Sequence, residues 1–302
     1  MIRVLFITIV FFIAACSSKP ETQRQVLKIV TTTGMIQDAV KNITGEHAQV
    51  EALMGPGVDP HLYKATQGDL KKLTEADVVF YNGLHLEGKM GEVLEKLSRT
   101  KPVLAVAASL PDSILLEVEG FEGITDPHIW FDVKLWREAV KTIHTYMVEI
   151  DSVNKPFYDS AAYAYTMQLD SLHKAISVQL LTIPEEQRVL ITAHDAFGYF
   201  GRAYNIQVRG LQGISTVAEF GLRDVTELVD FIIERKIKAI FGESSISPKS
   251  IEAVEEGCRK KNWQVKIGGN LYSDAMGEAG TPEGTYIGMV NANVKTIVEA
   301  LK

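Results

Sequence analysis

Past residue 25 the chain reads as short apolar runs separated by amphipathic stretches. VLKIVTTT (residues 26–33) has the unbroken apolar character of a buried strand, and residues 34–43 follow with apolar positions at helical spacing. AQVEALM (48–54) predicts a second strand, residues 66–75 a helix, ADVVFYNG (76–83) a third strand, then another helix, and KPVLAVAAS (101–109) a fourth strand. Strands alternating with helices predict a mainly parallel sheet with helices on both faces, because a parallel crossover needs a connection of helical length.

The period changes from Leu135 onward. Residues 132–182 hold no convincing strand, while Phe157, Ala161, Tyr165, Leu169, Leu172 and Ile176 recur at helical spacing. Pro156 near the start and Pro184 beyond the end bracket a helix of roughly 25 residues or more, well above the average length. The strand–helix alternation then restarts with RVLITAHD (188–195), NIQVRGLQ (205–212), KAIFGES (238–244) and QVKIGG (264–269), interleaved with helical DVTELVDFIIERK (224–236) and PKSIEAVEEGCRKK (248–261). The expected fold is therefore α/β: two lobes with mainly parallel sheets flanked by helices, joined by a single long connecting helix. A ligand is expected in the interlobe cleft. The expected divisions are 26–150 for the N-terminal lobe, 151–184 for the connecting helix and 185–302 for the C-terminal lobe.

The N-terminus adds a location. MIRVLFITIVFFIAAC carries one arginine and an apolar run over residues 4–15, too short to span a bilayer comfortably, so residues 1–15 read as an export signal. Its ending, Ile13-Ala14-Ala15-Cys16, resembles the bacterial lipobox, which implies cleavage before Cys16 and a lipid on that cysteine. Residues 16–25 are polar and read as a flexible tether. With Cys16 lipidated, Cys258 has no partner within the chain, so the fold is expected to rest on its core rather than on a disulfide. Removing residues 1–15 removes only Arg3 among charged residues and takes the formal charge from −7 to −8. An acidic chain without a long basic run argues against a nucleic-acid partner and mildly favours cations.

The chemistry is concentrated in the histidines. Asp-Pro-His occurs twice, as Asp59-Pro60-His61 and Asp126-Pro127-His128, where this composition predicts on the order of 0.01 copies, so the repeat suggests a shared local task. Proline stiffens the backbone and pushes the preceding Asp toward extended geometry, which suits a histidine presented as a ligand. His61, His128 and His194 all fall where an apolar segment has ended and a helix is about to begin. Thr66-Gln67-Gly68-Asp69 after His61 reads as a capping box, Asp132 after His128 as an N-cap, and His194 ends the strand VLITA. The second lobe then needs another donor, and Asp274 in LYSDAMGEAG supplies it from a small-residue loop. Three imidazoles and a carboxylate suit Zn²⁺ or Mn²⁺, one ion per chain, whereas calcium and magnesium prefer oxygen throughout. Asp59, Asp126, Asp195 and Glu243 are candidate acceptors for the far ring nitrogens, and His85 in NGLHLEG a candidate cleft-lining residue. His47, His144 and His173 read as turn, surface or packing residues.

In order along the chain, the lipobox, PHLYKATQGDL, NGLHLEG, DPHIWFDV, TAHDAFGYF, QGIST and LYSDAMG resemble the metal-specific solute-binding lipoproteins of bacterial ABC importers, the cluster A-I zinc and manganese receptors. The resemblance covers essentially the whole mature chain. It implies two α/β lobes joined by one rigid helix, one metal held between them by His61, His128, His194 and Asp274, a cytoplasmic-membrane permease as partner, and a monomer facing the periplasm or cell exterior. Several manganese-preferring members carry glutamate where this chain has His194, which resembles zinc or mixed members. The His- and Asp-rich loop of many dedicated zinc receptors is missing, since residues 111–125 contain no histidine. The alternative from another class is a secreted zinc-dependent hydrolase, but no HExxH or GxSxG motif supplies a base or nucleophile.

Overall fold

Leu27–Thr31 form β1, and the chain turns directly into α1 (Gly34–Thr44), whose Met35, Ile36, Ala39, Val40 and Ile43 are buried. The computed structural model describes residues 26–118 and 123–302; the expected export signal, the tether and Cys16 lie outside the described residues. β2 (Ala48–Ala52), α2 (Gln67–Glu75), β3 (Val78–Tyr81), α3 (Gly91–Ser98) and β4 (Val103–Ala105) follow. The strands form one sheet in the order β2-β1-β3-β4, with every neighbouring pair parallel. Side chains alternate between the faces of a strand, and both faces here are apolar. Ile29, Val78 and Phe80 join α1 in the main core, while Val30 and Val79 meet Leu73 of α2 and Leu94 of α3 on the other side.

Next come α4 (Val133–Ile150) and α5 (Lys155–Leu180), separated by a short 3₁₀ turn. Pro156 sits in the first turn of α5, where its missing N–H interrupts no helical hydrogen bond. The 26-residue α5 buries Tyr158, Ala162, Tyr165, Leu169, Leu172, Ile176 and Leu180. Phe157 and Ala161, expected on that stripe, lie off it, and Phe157 is 43% exposed. Steps of four residues drift around a helix that turns every 3.6, so the stripe is kept by alternating steps of four and three.

The second lobe contains β5 (Val189–His194), α6 (Gly198–Tyr204), β6 (Gln207–Gln212), α7 (Leu222–Glu234), β7 (Ala239–Glu243), α8 (Lys249–Lys260), β8 (Lys266–Leu271) and α9 (Tyr286–Leu301). β5 pairs in parallel with β6 and β7 with β8, and β5 and β7 lie against each other. Val189, Ile191, Leu228, Ile232, Ile240, Val254 and Cys258 make a core beneath α7 and α8. Cys258 is a buried free thiol. The two α/β lobes joined by α5 also share apolar packing. One continuous core runs from Ile29 and α1 through α4 and α5 to Tyr286, Val290, Val294 and Ile297 of α9, with Trp136 stacked on Tyr286 at 5.4 Å. Among the described residues no helix is long and apolar enough to cross a membrane.

Candidate metal centre

Each candidate donor is delivered by the end of an element. His61 follows the loop after β2, and its backbone N–H donates to Asp59 Oδ1 at 2.8 Å, closing the tight turn that Asp-Pro-His builds. The capping box beyond it is formed: Thr66 Oγ1 accepts from the Asp69 N–H and Asp69 Oδ2 accepts from the Thr66 N–H. His128 repeats the device, with its N–H donating to Asp126 Oδ1 at 2.9 Å ahead of the Asp132 N-cap of α4. His194 is the last residue of the wholly buried β5, and Asp274 lies three residues beyond β8.

These four side chains, two from each lobe, meet in the interior. One donor atom from each, taken together, lies within 4.8 Å of all the others. His61 Nε2 and His128 Nε2 are 3.3 Å apart, His194 Nε2 is 3.3 Å from Asp274 Oδ2, and His128 Nε2 is 3.4 Å from Asp274 Oδ1. A tetrahedron of metal–nitrogen bonds of about 2.0–2.1 Å has edges of about 3.3–3.4 Å, so three of the spacings are those of a coordination sphere. His61 is 3% exposed, His128 and His194 0%, and Asp274 2%, so the expected cleft is closed over the cluster. His194 Nε2 and both oxygens of Asp274 have no hydrogen-bond partner among the described residues. Asp274 thus faces only the Nε2 atoms of the three imidazoles and has no partner outside the donor set, an arrangement that a divalent cation at its centre would satisfy.

The surroundings divide the histidines. Asp126 Oδ1 accepts from His128 Nδ1 at 2.7 Å, and Glu243 Oε2 accepts from His194 Nδ1 at 2.5 Å while its Oε1 takes the His194 backbone N–H. Both rings are thereby turned so that Nε2 faces Asp274. Burial opposes charge on His128, but Asp126 and then Asp274 outweigh it and hold the ring up at about 9. Against the same burial, Glu243 and Asp274 raise His194 well above the ordinary imidazole value. Burial likewise opposes charge on Asp274, yet His194 and His128 hold it well below the carboxylate range. Burial pushes His61 down to about 3, leaving it neutral.

The family model described as zinc-uptake complex component A, periplasmic, matches residues 29–300. The chain belongs to this family. Among its relatives in the zinc-uptake component A family, the manganese-binding lipoprotein MntA of Bacillus subtilis is 50% identical, covering 100% of this chain and 98% of its own. The zinc-binding protein TroA of Treponema pallidum is also 50% identical, over 90% of this chain and 88% of its own. A solved structure of the periplasmic zinc-binding protein TroA from Treponema pallidum superposes with a TM-score of 0.89 at 50% identity, covering 91% of this chain and 99% of that one.

Within this family member, the remaining expected residues fare differently. Asp59 makes no hydrogen bond to the His61 ring among the described residues: its Oδ1 accepts from the His61 backbone N–H and its Oδ2 from Thr216 Oγ1 at 2.6 Å, whereas Asp126 in the second Asp-Pro-His turn reaches both the backbone and the ring of His128. Asp195 makes no hydrogen bond to the four side chains among the described residues; it follows the last residue of β5, and burial raises its pKa. His85, expected to line the cleft, is instead exposed, in a groove with Gly83, Leu84, Gly91 and Glu95. Its segment turns through three consecutive left-handed residues, Gly83 (φ +85°), Leu84 (φ +53°) and His85 (φ +63°), which carry the ring outward. The inward residues of NGLHLEG are Asn82, Leu86 and Glu87. Glu87 accepts from Thr32 Oγ1, the Asn82 N–H and the Gly83 N–H, and the Asn82 amide donates to the Pro127 carbonyl at 3.0 Å, bracing the turn that carries His128. The signal for Glu87 in the sequence is an acid between Leu86 and Gly88 just after a buried strand. His144 and His173 have peripheral partners, Asp159 and Tyr204.

Proposed function

We propose that this chain is an extracytoplasmic receptor that captures one Zn²⁺ or Mn²⁺ through His61, His128, His194 and Asp274 and delivers it to an ABC importer permease without chemical turnover. The observation that carries this is the convergence of three imidazole nitrogens and an otherwise unbonded carboxylate at coordination spacing inside the protein. The similarity to manganese-binding MntA and zinc-binding TroA supports the same cargo class. Residues 26–150 and 185–302 act as the two lobes, 151–184 as the connection, and a monomer is anchored through lipid on Cys16. Three imidazoles favour zinc on intrinsic preference, while the carboxylate keeps manganese within range. Four protein donors, and a sequence without an HExxH or GxSxG motif, support a carrier over the hydrolase alternative.

Elemental analysis of protein purified without added metal tests this directly. About one zinc or manganese per chain is expected, and protein that retains neither under dialysis refutes the assignment. His194→Glu exchanges an imidazole for a harder donor and is expected to shift the measured zinc-over-manganese preference toward manganese.

A further inference from the structure

Asp274 differs from the three histidines in how it is held. Asp126 and Glu243 orient the rings of His128 and His194, and the Asp-Pro-His turn fixes the backbone of His61, whereas the oxygens of Asp274 meet only the Nε2 atoms of the other donors, contacts that a bound ion would replace. Its placement must therefore come from its main chain. That main chain has left the strand, because β8 ends at Leu271 and the ladder with β7 stops at Glu243 opposite Leu271. Two side chains from outside the strand take over. Asn293 Oδ1 accepts from the Tyr272 N–H at 2.9 Å, and Asn293 Nδ2 donates to the Tyr272 carbonyl at 2.7 Å, so one amide closes both ends of that residue. Trp130 Nε1 then donates to the Ser273 carbonyl at 3.0 Å.

Both residues are costly choices that their bonds explain. The buried face of α9 is Tyr286, Met289, Val290, Asn293, Val294, Ile297 and Leu301, and Asn293 is its sole member bearing a carboxamide, 3% exposed. A buried amide needs partners, and both of its hydrogen bonds are spent on Tyr272. Trp130 is 1% exposed, lies two residues past His128 with its ring edge-on to the His128 imidazole at 5.3 Å, and its own carbonyl accepts from Tyr286 Oη at 2.7 Å. It thus ties the turn carrying a donor of the first lobe to the loop carrying a donor of the second.

Building on the proposed metal centre, we infer that Asn293 and Trp130 are positioning residues for Asp274, and that they set how long the ion is retained and with what coordination geometry. The mechanism is preorganisation. A carboxylate aimed before the ion arrives loses little freedom on binding, and one on a loosened loop swings away more readily.

The test uses the full mature chain with Asn293→Leu, Trp130→Phe and, as a control on the exposed face of the same helix, Asn291→Ala. Zinc removal by excess chelator is followed by stopped flow, and cobalt(II) reports geometry through its visible d–d absorption. Both site variants are expected to release zinc about tenfold or more faster, the usual effect of losing a residue that orients a ligand, and to change the cobalt band. Asn293→Asp keeps the acceptor for the Tyr272 N–H and is expected to recover part of the retention. A merely structural role would lower the thermal midpoint and leave the cobalt spectrum of the folded protein unchanged. That result, or wild-type release rates in both variants, overturns the inference alone. A wild-type chain that takes up neither zinc nor cobalt overturns the proposed function together with it.

Discussion

At the scale of single residues, the site stores protons where the ion is to go. Without metal, His128 titrates at about 9 and His194 well above the ordinary imidazole value, so at pH 7 both rings are charged, while His61 at about 3 is neutral. Coordination needs lone pairs, so binding at pH 7 is expected to expel about two protons, and affinity to fall as pH falls, by up to about a hundredfold per unit. Calorimetric titration of zinc in two buffers of different ionisation enthalpy measures the release, and identical enthalpies in both would contradict it. The sign for the metal-free fold is opposite. A raised imidazole pKa contributes stability that is fully present below the unfolded value of 6.5 and is lost as pH rises through about 9. Metal-free protein is therefore expected to lose thermal stability between neutral pH and pH 9 while zinc-loaded protein does not.

At the scale of elements, local chemistry was easiest to read where a short segment decides its own geometry. The capping box at Thr66 and Asp69 formed as its residues imply, and Asp69 Oδ2 also accepts from Tyr63 Oη at 2.7 Å. Thr66→Ala is expected to cost about 1 kcal/mol, measured as a lowered denaturant midpoint at unchanged slope. Both Asp-Pro-His turns and the end of β5 were legible for the same reason. What was hidden depends on long-range packing. The phase of the buried stripe on α5 is set by which residues the neighbouring helices meet, so Tyr158 and Ala162 displaced Phe157 and Ala161. In NGLHLEG the left-handed turn, which composition does not announce, sent His85 outward and drew Glu87 in. Asn293 lies in a helix whose apolar spacing is otherwise complete, and its partner is 21 residues away in the chain.

At the scale of the whole molecule, α5 and the core shared by α1, α4, α5 and α9 join the lobes through packed apolar side chains rather than a slack linker. Close-packed interiors resist bending, so small-angle scattering is expected to give the same radius of gyration for metal-free and zinc-loaded protein within error, with exchange carried by local loop movement. A large compaction on zinc addition would contradict this. Asp59, two residues before His61, and Thr216, in the loop between β6 and α7, link the loops of the two lobes through a 2.6 Å hydrogen bond, and the four donors near by are buried. An ion behind that clasp is sealed cargo rather than a counterion in equilibrium with its surroundings, so the moment of unloading belongs to whatever prises the two loops apart.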